Sequence, residues 1–405
     1  MIKAPKLRFK EFSEDWEQKK FKDIYNVKSG YGFKLNEYSS TGIPLIKIDN
    51  IGYGRIKWDN ISYLPEEYKD SYSDIVLEKD DILLALNRPI TNNKLKIAML
   101  KETDIPAILY QRVGKIIVDK TCNKLFSYYL LNNVVFDFVL RESKGSDQPF
   151  ISTEELKKVK FNIPLIEEQE KIASFFSLID NKISLQGEKV EALKGYKKGM
   201  IQKIFSRELR FKDDEGRDYP EWKSGKVKDV ITEHLYPIEK PSDAYWRVGL
   251  RSHGKGTFHE YVTDPSKVSM DKLYEVKKNM LIVNITFAWE HAIAITDAND
   301  EGKLVSHRFP TYDFNENALY DFYKYYILLP KFKYCLLNAS PGGAGRNRVL
   351  NKKQFLEIDV PIPCIDEQKK IAKILNTLDN KIKKEQEKLD SLNEYKKGLL
   401  QQMFV

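Results

Sequence analysis

Cysteine is scarce: there are three in 405 residues, Cys122, Cys335 and Cys364. An odd number so widely spaced argues against a disulfide frame or a paired-cysteine zinc site, and for a reducing cytoplasm. Long apolar runs are missing as well. Nothing approaches the ~18–20 residues of a membrane span, and the opening MIKAPKLRFKEF has no apolar secretion core. His234, His253, His259, His291 and His307 fall into no HExxH or HxxxH pairing, so no metal site is expected.

Catalytic signatures are equally thin. No GxxxxGK[ST] loop occurs, which excludes a P-loop ATPase, and no GxGxxG follows a strand. The cluster SPGGAGRNR (Ser340–Arg348) has the wrong spacing and ends in arginines. No serine or cysteine nucleophile stands in a recognisable setting. One pattern keeps an enzyme reading open. Asp264 with Glu275-Val276-Lys277 resembles the acidic-plus-ExK layout of metal-dependent nucleases, although the first half of the chain has no counterpart. Otherwise the sequence describes a reader rather than a catalyst.

What is present is repetition. LRFKEFSEDWEQKKFKDI (Leu7–Ile24) returns as LRFKDDEGRDYPEWKSGKVKDV (Leu209–Val230). IPLIEEQEKIASFFSLIDNKI (Ile163–Ile183) returns as IPCIDEQKKIAKILNTLDNKI (Ile362–Ile382), and YKKGMIQKIF (Tyr196–Phe205) as YKKGLLQQMF (Tyr395–Phe404). The chain is therefore two copies of one module, a mixed α/β domain followed by a long helix. The expected divisions are domain 1–163, helix 164–206, domain 207–362 and helix 363–405. The net charge of +8 divides as +5 over residues 1–206 and +3 over 207–405. That even excess permits a polyanionic partner and equally serves solubility.

The helical stretches carry a seam of period 3.5. Ile172, Phe176, Ile179, Ile183, Gln186, Val190, Leu193, Lys197, Met200 and Ile204 lie along the first. Ile371, Leu375, Leu378, Ile382, Glu385, Leu389, Leu392, Lys396, Leu399 and Met403 lie along the second. The polar breaks fall at matching places, which is the pattern of a coiled coil whose register is fixed by polar residues. One chain holding both helices can close the seam on itself as an antiparallel pair, leaving the outward faces for other proteins. About 40 residues at ~1.5 Å each make a rod of roughly 60 Å.

Between the helices the copies diverge, so two modules with a shared frame should hold two different things. IPLIKIDNIG (Ile43–Gly52), DDILLAL (Asp80–Leu86) and VGKIIVD (Val113–Asp119) read as strands. Their expected counterparts are RVGLRS (Arg247–Ser252), NMLIVNITFAW (Asn279–Trp289) and EHAIAIT (Glu290–Thr296). The loops are rich in basic and amide side chains, which supply donors for phosphates and base edges. In the first copy the candidates are Asn50, Arg55, Lys57, Asn87, Arg88, Asn92, Lys94, Gln111, Arg112, Lys144 and Gln148. In the second they are Arg247, Arg251, His253, Lys255, Asn284, His291, His307, Arg308, Arg346, Asn347 and Arg348.

The tandem PLIEEQEKIA…IDNKI…YKKGMIQKIF and PCIDEQKKIA…LDNKI…YKKGLLQQMF resembles the specificity (S) subunit of type I restriction–modification enzymes. LEKDDILLAL and the approach KGSDQPFIS also look like that family's target-recognition domains. The second copy departs at the latter place, with AGRNRVLN. The resemblance implies two target-recognition domains, each reading half of a bipartite double-stranded DNA target, with the paired helices as spacer. It also implies two modification (methyltransferase) subunits and, for restriction, motor-nuclease subunits. AdoMet, ATP and Mg²⁺ would belong to those partners, and none is expected in this chain. A coiled-coil scaffold that binds only proteins is the alternative reading.

Overall fold

The computed structural model describes residues 5–142, 150–342 and 348–404. They form two compact units, Met1–Glu188 with Glu387–Val405, and Lys189–Gln386. These units cut across the four consecutive segments expected from the sequence, because each combines one domain with stretches of both long helices.

In the first unit the central sheet runs Tyr25–Ser29, Val113–Val118, Ile82–Ala85, Ile97–Met99, antiparallel throughout. Ile82-Leu83-Leu84-Ala85 is buried on both faces, so its side chains alternate between two cores. Ile82 and Leu84 join Phe126, Leu130 and Phe176 on the side of helix Lys124–Glu142. Leu83 and Ala85 join Leu45, Ile108 and Leu109 of a second sheet, ordered Ser62–Leu64, Ile43–Ile46, Ala107–Leu109, Val76–Leu77.

The second unit repeats this plan. Its central sheet runs Ile231–Glu233, Thr311–Phe314, Leu281–Val283, Ile293–Ile295. Its second sheet runs Tyr236–Glu239, Lys272–Glu275, Leu304–Val305, Tyr245–Leu250, Thr257–Val262, with one strand more than the first unit has. The topology corrects one expected match: EHAIAIT is the edge strand equivalent to Ile97–Met99, and the counterpart of VGKIIVD is Thr311–Phe314. The long helix of the first domain is also matched by two shorter ones, Tyr320–Tyr326 and Pro330–Asn338. Pro330 is the reason, since proline opens a helix readily but cannot sit in its interior.

The long helices are Ile166–Phe205 and Ile365–Met403. Each starts on a buried carboxylate. Glu168 accepts both arms of Arg8 at 2.7 Å. Glu367 accepts Arg210 twice at 3.0 Å and the Trp222 indole N–H at 2.8 Å. The repeated LRFK and EQ phrases are thus two halves of one clamp, placed where the helix N-terminus favours negative charge.

Within each unit the two helical stretches are antiparallel. In the first, Tyr129 donates to Asp180 at 2.7 Å, and Lys396 pairs with the same carboxylate while lying over the Tyr129 ring. In the second, Tyr325 donates to Asp379 at 2.6 Å, and Lys197 does what Lys396 does. Burial first, and then the bond to the aspartate, raises both phenol pKa values well above the usual range. The lysines that break the apolar seam are therefore its register pins. Glu385, at a second break, pairs with Lys189 at 3.1 Å. Ile172, Phe176, Val190, Ile371 and Leu375 are buried, while Ile179, Ile183, Leu193, Leu378, Ile382, Leu389 and Leu392 are half-buried. Among the described residues no helix is long and apolar enough to cross a membrane.

Candidate nucleic-acid interface

In the first unit the candidate side chains flank the stretch that leaves strand Ile82–Ala85 and returns as Ile97–Met99. It carries a hairpin, Ile90–Thr91 with Lys94–Leu95, whose turn places Asn92 and Asn93 in the left-handed region. Asparagine tolerates that backbone because its short side chain can bond locally. The 50–57 loop leans on the same stretch: the Gly54 N–H donates to the Ile97 carbonyl at 2.8 Å, and the Tyr53 hydroxyl to the Thr91 carbonyl at 2.9 Å. Lys57 and Lys94 each lie 5.8 Å from the Tyr53 ring centre. Asn92, Lys94, Lys57 and Arg55 are exposed, so this corner offers cations around an aromatic platform.

At the other end of that stretch, the Leu86 N–H donates to the Arg112 carbonyl at 3.0 Å, and the Leu86 carbonyl accepts from Ile151 at 2.7 Å. Asn87 bridges to Phe150, which is 68% exposed. Arg88 and Arg112 hold positive φ values, 47° and 65°. Such backbone persists in non-glycine residues only where the surroundings over-determine it, and it gathers at functional loops. Gln111 and Arg112 are exposed beside Tyr31.

In the second unit the strands Tyr245–Leu250 and Thr257–Val262 form a hairpin. Arg247 is tied to Glu260 at 2.7 Å. Arg251 donates to the Thr257 carbonyl and lies 5.3 Å from the centre of the Phe258 ring, which covers Gly249. A Cβ at Gly249 would run into that ring. The loop carries His253 and Lys255, both exposed, and His253 N–H anchors it to the Glu290 carbonyl at 2.8 Å. His307 and Arg308 are exposed beside Ile285, whose N–H donates to the Arg308 carbonyl at 3.0 Å. Arg348 is partly exposed, two residues before Leu350, whose N–H donates to the Ile285 carbonyl at 2.8 Å.

Three candidates are corrected by burial. Asn50 is enclosed, accepting from the Lys47 N–H and donating to the Lys57 carbonyl, so it shapes its loop instead of facing outward. Asn284 sits at a buried strand end and accepts from the Thr286 N–H. His291 is buried, with Nε2 2.7 Å from the Ile327 carbonyl, and desolvation lowers its pKa from the ordinary value. Lys144, Gln148, Arg346 and Asn347 lie outside the described residues. Tyr31, Tyr53 and Phe258 were not expected. Both tyrosines are flanked by glycines, as Gly30-Tyr31-Gly32 and Gly52-Tyr53-Gly54, a local signal for an aromatic held out on a tight turn.

The nuclease pattern does not assemble. Glu275 pairs with Lys277 at 2.7 Å, and Asp264 accepts from Ser266 within its own turn. Among the described residues no group of three His, Cys, Asp or Glu side chains is placed to hold a metal ion.

The "Type I restriction enzyme MjaVIII specificity subunit" of Methanocaldococcus jannaschii is 40% identical over 205 residues, 50% of this chain and 48% of that one. The "Type I restriction enzyme EcoAI specificity subunit" of Escherichia coli is 31% identical over 165 residues, 40% of this chain and 28% of that one. The chain thus spans about half, or less, of the length of these two relatives. The crystal structure of the type I restriction–modification S subunit from M. genitalium matches with a TM-score of 0.57 at 14% identity, covering 100% of this chain and 99% of that one, so the fold is shared. The family model described as "Type I restriction modification DNA specificity domain" matches residues 13–194 and 220–394, once for each repeat. The chain belongs to the type I restriction–modification DNA specificity family.

Proposed function

We propose that this chain is the sequence reader of a type I restriction–modification complex. Each unit binds one half of a bipartite duplex target, and the helices set the gap between the halves. The observation that carries this reading is one frame fitted out twice. The sheet order, the Arg–Glu clamp and the Tyr–Asp–Lys pin recur, whereas the exposed cations and aromatics differ between units. A shared frame with unlike loops suits two different half-sites read in the same pose. Such half-sites lie about one helical turn, roughly 34–36 Å, apart.

Phosphate contacts supply affinity and its salt dependence, and base contacts supply choice. The helices dock two methyltransferase subunits and, where restriction occurs, motor-nuclease subunits; Tyr196 and Tyr395, repeated and exposed, fit such contacts. AdoMet, ATP and Mg²⁺ act on those partners.

The test is co-expression with the methyltransferase subunit in a host lacking such modification, followed by mapping of methylated bases. Two short defined blocks around a fixed gap are expected. No new methylation from an assembled complex would instead favour the protein-only scaffold.

A further inference from the structure

The two frames share one detail finer than topology. Leu86 and Ile285 stand one repeat length apart, each just beyond the strand at the heart of its central sheet. Each donates its N–H to an arginine carbonyl, Arg112 or Arg308, at 3.0 Å. Each accepts, on its carbonyl, the N–H of Ile151 (2.7 Å) or Leu350 (2.8 Å), again one repeat length apart. The neighbouring ladders continue this register, with Val113 opposite Ala85 and Thr311 opposite Ile282. Both arginines are therefore placed by the sheet and not by the chemistry of their own loops, which differ as YQR and SHR.

Their side chains are exposed and, among the described residues, make no hydrogen bond or ion pair. Four other candidates are already engaged: Arg247 with Glu260, Arg251 with Thr257 and Phe258, Lys57 and Lys94 with Tyr53. Arg88 is also exposed, but the residue one repeat length on is Phe287.

We infer that Arg112 and Arg308 are equivalent specificity residues: each addresses the base pair of the same rank in its own half-site, counted from the gap. An unpaired arginine fork aimed at a base edge most commonly grips guanine O6 and N7, so both ranks carry a G·C pair. Loop residues without an equivalent, such as Arg88 and Arg251, then account for the positions at which the half-sites differ.

This inference rests on the bipartite reading above. The experiment compares the modified motif produced by the complete complex carrying the wild-type chain, Arg112→Ala, Arg308→Ala, Arg112→Lys or Arg308→Lys. Lysine keeps a charge for phosphate but loses the two-pronged geometry. The purified complexes are also titrated with duplexes substituted at one base pair at a time, which reads out variants too weak to methylate. Each variant, lysine included, is expected to relax one G·C position by about ten- to a hundredfold, in one half for Arg112 and at the same rank in the other for Arg308. Unmatched ranks, relaxation in both halves, or full specificity restored by lysine would overturn the inference while leaving the split motif standing. A wild-type complex with no split motif would remove the underlying reading first.

Discussion

Arg210→Ala tests the energetics of the helix clamp. Glu367 is fully buried in the first turn of its helix and accepts hydrogen bonds from Arg210 and the Trp222 N–H. Removing one partner of a buried pair costs about 3–5 kcal/mol, because the remaining charge is left uncompensated. The Trp222 bond and the helix N-terminus offset about 1 kcal/mol of that, leaving roughly 2–4 kcal/mol. At about 2–4 °C per kcal/mol for a unit of this size, the melting temperature of the second unit falls by roughly 4–16 °C. Adding Glu367→Gln removes the stranded charge and should recover at least half of the loss. Lys228→Ala, which breaks an exposed pair with Glu357, should cost under about 1 kcal/mol. Arg8→Ala should cost more than Arg210→Ala, since Glu168 is bonded to Arg8 whereas the indole N–H of Trp16, the counterpart of Trp222, finds no partner among the described residues. Calorimetry or urea unfolding decides it: a shift below about 2 °C, or no recovery in the double variant, refutes the clamp.

Burial lowers the His291 pKa from its ordinary 6.5, so the unfolded chain takes up a proton that the folded chain refuses. Stability from this group is present above about pH 6.5 and is lost as pH falls below it, by at most about 1.4 kcal/mol per pH unit. Urea unfolding at pH 7.5 and 5.5 should show that slope, and His291→Gln should flatten it; an unchanged slope refutes the assignment. Lys396→Ala should destabilise the first unit by about 1–2 kcal/mol, with coupling to Asp180→Asn in a double-mutant cycle, and additive losses would show that the pin carries no energy. Arg88→Ala should change recognition in one half-site only and Arg251→Ala in the other, read by mapping the modified motif; damage to both halves by either variant would contradict one unit per half-site.

The helices could be read from the sequence because their signal is both periodic and repeated. Lys197 and Lys396 showed there only as breaks in the seam; that each answers an aspartate across the pair is a long-range fact. The loops announced themselves through glycine and basic residues, yet Asn50, Asn284 and His291 share that composition and are buried. An amide that closes a turn and one that faces solvent look alike in a string of letters. The misplaced counterpart of VGKIIVD has a similar cause. The edge strand Ile97–Met99 has only three residues and does not stand out from its loop, so order along the sequence sets VGKIIVD against the wrong strand. The loop after Leu281–Val283 is three residues shorter than the one after Ile82–Ala85, with Ile293 opposite Val283 where Ile97 lies opposite Leu84, and that hid the equivalence of Arg112 and Arg308.

Phe404 packs on Phe126 and Phe176, and the Leu7 N–H donates to the Gln402 carbonyl at 3.0 Å, just as the Leu209 N–H donates to the Lys203 carbonyl. The second of those bonds lies within a continuous stretch of chain; the first joins stretches separated by the whole of Lys189–Gln386. The first unit therefore cannot close its core on the ribosome when its own domain emerges. It waits while Lys189–Gln386 is made, roughly ten to forty seconds at 5–20 residues per second. The unit translated second has its whole sequence first. Folding order runs against chain order, and until residues 387–405 emerge the aromatic floor around Phe126 and Phe176 is a ready site for a chaperone or for aggregation.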